Sequence, residues 1–178
     1  MKFFEQSIAG VFVIEPEPFV DERGMFRRHF AQEEFAAHGI VTDVKHCNVS
    51  ENKFKHTLRG FHYQLAPYGE GKTLSCLKGS IYDIVVDLRP ESATYLKWFG
   101  VELNEDNRQS VHIPPGCANA FLTLQDNCLI HYYCSEAYHG ESERGIRYND
   151  PLFNFNWPTE PVIISDKDRN HPDFQPTK

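Results

Sequence analysis

A run of alternating residues near the middle of the chain constrains the fold most. In "GSIYDIVVDLRP", two sets of residues alternate: Ile81, Asp83, Val85 and Asp87, and Tyr82, Ile84, Val86 and Leu88. Successive side chains of a strand point to opposite faces, so the second set would form an apolar face. The segment is therefore predicted to be a strand with a mostly apolar face.

Further strand candidates follow, and turn sequences separate them. These candidates are "WFGVELN", "SVHIPPGCANAFLTLQ" and "CLIHYYCSEAY", and the turns are "NEDN", "PPG" and "QDN". Near the N-terminus only "AQEEFAAHGI" has a helical pattern, with Gly39 suited to its C-terminal cap. Many short strands with glycine and proline turns predict an all-β protein. The pattern leaves a jelly roll, a lipocalin-like barrel and a plain sandwich open.

Length, composition and charge exclude several classes of protein. A chain of 178 residues, 40% of them hydrophobic and without repeats or linkers, predicts a single domain over residues 1–178. The sequence contains no apolar run of membrane-spanning length and no recognisable signal peptide, so we expect a cytoplasmic protein. The net charge of -7 argues against general nucleic-acid binding. The five cysteines form no CxxC pair and are expected to be buried free thiols.

The histidines do not form the pattern of a usual metal site in a β-barrel. Such a site needs converging ligands, often as a His-x-His pair on one strand. His62 and His131 have no second histidine within two residues, and position 119, after His112, is Asn. The sequence also has no GxSxG nucleophile motif. These patterns disfavour a catalytic metal and a serine nucleophile.

Proton transfer at carbon is the remaining chemistry for which candidate residues exist. It needs a base near neutral pKa, an orienting carboxylate, an acid on the other face of the substrate and a cation for a developing enolate. The candidates are His62, the acidic "SDKD" near the C-terminus, Tyr132 or Tyr133, and Lys72. The residue types alone are unspecific, because a tyrosine on a strand often packs in the core, and "SDKD" alone is typical of a surface turn.

Several segments together resemble the dTDP-4-dehydrorhamnose 3,5-epimerase family in order and spacing, over nearly the whole chain. They are "FVDERGMF", "LRGFHYQ", "GEGKTLSC", "IYDIVVDLRPESATYLKW", "VELNEDNRQSVHIPPG", "RGIRYNDP", "FNWP" and "ISDKDRNHP". The resemblance implies a cupin-type double-stranded β-helix, a jelly-roll barrel with short flanking helices. It also implies a homodimer and epimerisation of a nucleotide-linked 4-keto-6-deoxy sugar at C3 and C5, without metal or cofactor.

The resemblance also assigns roles to single residues. His62 matches the family's general base, Asp168 its dyad partner, Tyr132 its acid, and Lys72 a lysine near the keto oxygen. Six further residues match groups that hold the nucleotide or its diphosphate: Arg23, Arg59, Lys167, Tyr138, Phe19 and Phe26. The two phenylalanines are expected to reach the nucleotide partly across the dimer.

Three positions depart from the family pattern. Asn119 replaces a histidine that lines the active site, His46 stands where a glutamine is usual, and Arg28 stands where a glutamate is common. Asparagine hydrogen-bonds but does not titrate near neutral pH. These changes leave open an epimerase that acts at C3 alone on a CDP-, GDP- or dTDP-linked sugar. A sugar-nucleotide-binding barrel without catalysis is a further alternative, as is a metal-dependent cupin.

Overall fold

The computed structural model describes residues 1–176, so positions 177 and 178 of the predicted domain lie outside the described residues. Its fourteen strands and two helices, in chain order, are β1 (Lys2–Glu5), β2 (Phe12–Glu15), β3 (Phe19–Asp21), β4 (Gly24–Phe26), α1 (Gln32–Ala36), β5 (His46–Asn52), β6 (Thr57–Gln64), β7 (Lys72–Lys78), β8 (Ser80–Asp87), β9 (Trp98–Asn104), β10 (Ser110–Ile113), β11 (Cys117–Thr123), β12 (Cys128–Cys134), β13 (Glu143–Gly145), β14 (Ile163–Ile164) and α2 (Asp166–Arg169).

Two sheets face each other, and a short hairpin lies apart from them. The first sheet has the order β1-β2-β10-β7-β12-β5, and the second has the order β13-β6-β11-β8-β9. Strand β14 pairs with β6 in parallel, whereas the other pairings are antiparallel. The hairpin is formed by β3 and β4. The strand candidates of the sequence appear as β8, β9, β10, β11 and β12.

The main core lies between the two sheets, and a second core lies outside β8. Apolar side chains of both sheets meet in the first, among them Leu74, Ile81 and Ile130. In the second, Ile84 of β8 packs with Phe153 and other aromatic residues of the C-terminal segment. Both faces of β8 are therefore buried, whereas the alternation had predicted one apolar face. This arrangement takes carboxyl groups of β8 into the interior.

The helices are short, and each ends or begins with a defined cap. Helix α1 ends with a bond from Ile40 N–H to the Phe35 carbonyl and one from Gly39 N–H to the Ala36 carbonyl. Gly39 has a φ of +73°, which suits the left-handed cap predicted there. The "SDKD" segment, which alone resembles a surface turn, forms α2. No helix within residues 1–176 is long and apolar enough to cross a membrane.

Four of the five cysteines are buried free thiols, as predicted, but Cys47 is exposed. The expectation was wrong there because Cys47 lies on β5, an edge strand of the first sheet, where His46 and Cys47 are exposed to solvent.

Candidate active site

A histidine and an aspartate from distant parts of the chain meet in the barrel. His62 lies on β6, and its Nε2 is 2.7 Å from Oδ1 of Asp168 on α2. When Asp168 accepts a hydrogen bond from Nε2–H, the lone pair of the neutral ring is on Nδ1. The His62 side chain is 37% exposed, whereas that of Asp168 is 6% exposed. The pair therefore presents an oriented base backed by a buried carboxylate.

Local structure holds Asp168 in this position. Ser165 caps α2 by accepting a hydrogen bond from Asp168 N–H through its side chain, and the Gly60 N–H donates to Asp168 Oδ2. Burial acts to raise the pKa of Asp168, but hydrogen bonds and charge from His62, together with the Gly60 bond, outweigh it. The net pKa of Asp168 lies below its ordinary value, so the carboxylate is ionised beside His62.

Lys72 and Tyr132 form another part of the same cavity. Lys72 Nζ lies 3.0 Å from Glu70 Oε1 and 5.6 Å from the centre of the Tyr132 ring. Burial acts to lower the pKa of Lys72, but the charge of Glu70 raises it to a net value above normal. The lysine is therefore a fixed cation next to a phenol, a combination that can stabilise an oxyanion and supply a proton.

Behind Lys72 lies a buried carboxyl group linked through Asn119. The Asn119 side-chain amide donates to Asp83 Oδ1 at 2.9 Å, and Lys72 Nζ lies 3.5 Å from Asn119 Oδ1. Asp83 is fully buried, and its Oδ2 has no hydrogen-bond partner among residues 1–176. Burial raises the pKa of Asp83 to about 7, even though Asn119 and Lys72 act to lower it.

The predicted residues line two adjoining cavities that share His62, Lys72 and Tyr132. The larger cavity, of about 510 Å³, is also lined by Asp168, Arg59, Asn119 and Lys167. The other, of about 390 Å³, is also lined by His46 and Tyr138. Nine of the thirteen predicted site residues thus lie around one connected space of a size that suits a small organic ligand.

The other four predicted residues lie elsewhere in the single chain. Arg23, Phe19 and Phe26 surround a separate depression on the β3–β4 hairpin. Phe19 and Phe26 are 77% and 69% exposed, and Arg23 pairs with Asp21 at 2.6 Å. Arg28 lies near helix α1, with its guanidinium 3.6 Å from Glu34 Oε1. The described residues of one chain do not bring these four side chains to His62.

Among the residues that the sequence analysis missed, Glu143 and His171 also adjoin the His62 site. Glu143 accepts hydrogen bonds from both Tyr138, at 2.8 Å, and Lys167, at 2.6 Å. The Tyr138 bond raises the pKa of that phenol. His171 lies with Nε2 3.9 Å from Asp168 Oδ1, so His62, Asp168 and His171 form a set of possible metal ligands. The only signal in the sequence was the spacing of His171, three residues after Asp168.

Comparison with known proteins places the chain in a family. The sequence profile of dTDP-4-dehydrorhamnose 3,5-epimerase matches residues 5–176. The dTDP-4-dehydrorhamnose 3,5-epimerase of Methanothermobacter thermautotrophicus is 41% identical over 172 residues, which cover 95% of this chain and 92% of that one. The chain belongs to the dTDP-4-dehydrorhamnose 3,5-epimerase family.

Solved structures agree with this family. The 3,5-epimerase from Bacillus anthracis, with TDP and PPi bound, matches with a TM-score of 0.93 and 32% identity over 97% of this chain and 99% of that chain. A 3'-monoepimerase from Streptomyces bikiniensis, in complex with dTDP-quinovose, matches with a TM-score of 0.87 and 34% identity over 94% and 85%. The predicted family, cupin-type jelly-roll fold and epimerase class of enzyme are confirmed.

Proposed function

We propose that the chain epimerises a dTDP-linked 4-keto-6-deoxy sugar at C3 and C5 through an enolate, without a metal or cofactor in the reaction. The observation that carries this proposal is the bonded His62–Asp168 pair, which lines one cavity together with Lys72 and Tyr132. A base, a cation and a phenol around one space are the groups that reversible proton transfer next to a ketone requires.

In the first step, the 4-keto group acidifies the hydrogen on each neighbouring carbon. His62 takes that proton on Nδ1, and the resulting imidazolium is stabilised by the carboxylate of Asp168, which lies 2.7 Å from Nε2. The negative charge moves to the keto oxygen, where the ammonium group of Lys72 stabilises the enolate. Asn119 and Glu70 both contact that ammonium group.

In the second step, the carbon regains a proton from the opposite face of the sugar. Tyr132 lines the cavity and gives that proton, so the centre is inverted. Once His62 has released its proton to water and Tyr132 has regained one, the same steps at the other neighbouring carbon invert the second centre. Arg59 and Lys167 line the larger cavity and are suited to the diphosphate, because both are cations. Tyr138 lies beside the nucleotide base.

We propose that the active form is a homodimer. The β3–β4 hairpin exposes Phe19, Phe26 and Arg23, and these are residues with which the family surrounds the nucleotide. In the single chain they lie apart from His62, so the hairpin would complete the cavity of a second copy. Arg28 remains a predicted substrate residue, and the single domain over 1–178, the cytoplasmic location and the absence of nucleic-acid binding remain predictions too.

An epimerase that acts at C3 alone is the second candidate. It is favoured by Asn119, which lines the cavity at a position where the family usually has a histidine. The uncharged amide of Asn119 in the larger cavity, and His46 in the adjoining one, change the groups available to the substrate. The structural likeness to a monoepimerase agrees with this alternative without deciding between the two.

Proton NMR of dTDP-4-keto-6-deoxyglucose incubated with the protein in D2O tests the proposal. Deuterium entering at both C3 and C5, with new sugar signals, is the expected result. Deuterium entering at C3 alone would show that the chain is a C3 epimerase and not a 3,5-epimerase. If a candidate 4-keto sugar bound tightly but no hydrogen of any candidate exchanged with deuterium, the chain would instead be a sugar-nucleotide-binding protein.

The His62→Ala variant is the control for the same experiment. It removes the base and should abolish exchange at both carbons, while circular dichroism shows an unchanged fold. If this variant kept most of the exchange rate, His62 would not be the base. Sedimentation measurements on the wild-type protein test the dimer separately, and a monomer at assay concentration would contradict that part of the proposal.

A further inference from the structure

The environment of Asp168 contains a second histidine for which the epimerase chemistry has no use. His171 Nε2 is 3.9 Å from Asp168 Oδ1, and His62 Nε2 is 2.7 Å from the same oxygen. One ligand atom from each of the three residues lies within 4.8 Å of the others. Two imidazoles and one carboxylate are a ligand set that zinc ions prefer in proteins.

The His171 ring is positioned by its packing, and its Nε2 has no hydrogen-bond partner within residues 1–176. That nitrogen is also buried. The ring lies against Gly145, where a Cβ atom would overlap it. A buried polar atom without a partner is costly, and a bound ion would satisfy it.

We propose that His62, Asp168 and His171 bind a divalent zinc ion, and that this ion inhibits the epimerase. Zinc lies about 2.0–2.2 Å from nitrogen and carboxylate ligands, so two ligands of one tetrahedral ion lie about 3.4 Å apart. When zinc binds, the distance from His62 Nε2 to Asp168 Oδ1 would lengthen and the distance from His171 Nε2 to Asp168 Oδ1 would shorten, each by less than about 1 Å. The 37% exposure of His62 leaves a path for the ion from the cavity.

The reason for inhibition is the tautomer of His62. A metal on Nε2 leaves the ring proton on Nδ1, the nitrogen that must accept the proton of the substrate. The ion also takes the place of the hydrogen bond between His62 and Asp168. Zinc binding does not depend on the proposed function, whereas the inhibition rests on it.

Calorimetric titration of the metal-stripped full chain with ZnCl2, together with deuterium exchange at rising zinc concentration, tests this site. We expect one zinc per chain and loss of exchange in parallel with binding. The His171→Gln variant should bind zinc at least about tenfold more weakly, and its midpoint of inhibition should rise by the same factor, because one ligand is gone. His62→Asn should also bind weakly by calorimetry, which measures the site without activity.

The Cys47→Ser variant is the matched control. The exposed Cys47 thiol lies 3.1 Å from His131 Nε2, so it offers zinc a thiol and an imidazole at a different place in the chain. This variant should bind zinc and lose activity as the wild type does. The proposal is overturned if Cys47→Ser removes zinc binding, if His171→Gln binds as tightly as the wild type, or if zinc saturates the protein without slowing exchange. If the zinc-free protein did not catalyse epimerisation, the proposed function would be wrong. The calorimetric measurement of zinc binding would still test the zinc site.

Discussion

Two buried carboxyl groups lie near the same cavity and behave in opposite ways. Asp168 is buried and has a pKa below its ordinary value, whereas Asp83 is fully buried and has a pKa of about 7. Burial acts to raise the pKa of both. The difference is in their partners, because His62 and Gly60 bond to Asp168, whereas Asp83 has Asn119 on one oxygen and none within residues 1–176 on the other.

In the proposed mechanism, the two carboxyl groups have different tasks. Asp168 stays ionised, so it can stabilise a positive His62 during proton transfer. Asp83 is largely protonated below neutral pH, so it adds little fixed negative charge behind Lys72 there. In the proposed mechanism, the Lys72 ammonium group stabilises the enolate. Isosteric replacements of the two carboxyls therefore separate catalysis from stability.

The largest effect is expected from Asp168→Asn measured against Asp83→Asn. The first change removes the charge that stabilises the His62 imidazolium and should lower turnover about 10²- to 10⁴-fold, a typical contribution of general acid–base catalysis. Asp83→Asn should retain at least a hundredfold more turnover than Asp168→Asn. Steady-state epimerisation rates of the two purified variants give the ratio. Equal losses in both variants would show that the two carboxyls do not differ in role.

Tyr132→Phe tests whether the proton donor is distinct from the base. Without the phenol, the enolate takes deuterium back from His62 on the original face. Product formation should fall about 10²-fold, whereas wash-out of hydrogen at unchanged configuration should fall less than about tenfold. NMR in D2O measures both rates.

Tyr133→Phe is the matched control for that prediction. Tyr133 follows Tyr132 on β12 but packs against Phe30 on the other side of the sheet, outside the two cavities. The Tyr133→Phe variant should therefore have the wild-type rates of hydrogen wash-out and of product formation. A parallel fall of wash-out and product formation in Tyr132→Phe would argue against Tyr132 as the acid.

Asp83→Asn should change how stability depends on pH. The pKa of Asp83 is about 7 in the folded protein, whereas the ordinary pKa of an aspartate is 3.8, so the folded state binds more protons between these pH values. The Asp83 contribution is therefore favourable at low pH and is lost as the pH rises through about 7. The free energy of unfolding of Asp83→Asn relative to wild type should rise by roughly 2–3 kcal/mol from pH 5 to pH 8.

Urea unfolding of both proteins at the two pH values checks this difference. Since the variant and the wild type share all other titrating groups, their contributions cancel in the comparison. The same stability difference at pH 5 and pH 8 would show that Asp83 does not titrate in this range.

The smallest effect is expected at Glu143, which bonds to Tyr138 and Lys167, two predicted substrate-binding residues. Glu143→Gln removes the charge that holds the Lys167 ammonium group and should raise KM about fivefold, with kcat within about twofold, since surface ion pairs contribute little. Glu141→Gln, two residues earlier in the chain, is the control and should change neither value. A larger fall in kcat than in 1/KM would show that Glu143 acts in the chemical step and not only in substrate binding.

Local patterns predicted much of the sheet structure. Alternation and turn residues located β8, β9 and β12, because these strands have two-residue periodicity and definite turns at their ends. The helical pattern and Gly39 located α1, although the helix is shorter than the pattern. The burial of both faces of β8 could not be read from alternation, because the C-terminal aromatic residues that cover its outer face lie some 70 residues later.

The candidate active site was predictable only through the resemblance to a family. As isolated residues, His62 is one histidine among nine, and "SDKD" has the composition of a surface turn. The resemblance singled out His62, Asp168, Lys72 and Tyr132, which the structure brings to one cavity. It also named Phe19, Phe26 and Arg23, which a single chain leaves on an exposed hairpin.

By itself, the sequence determined the strands, the turns and the types of residue available for proton transfer, because these depend on neighbours along the chain. Only the tertiary structure decided that Asp168 bonds to His62, 106 residues away, with His171 beside it. That contact arises because β14 pairs with the start of β6 and directs α2 over the barrel. The opposite pKa shifts of Asp168 and Asp83 were likewise decided by long-range partners, which no local pattern of residues encodes.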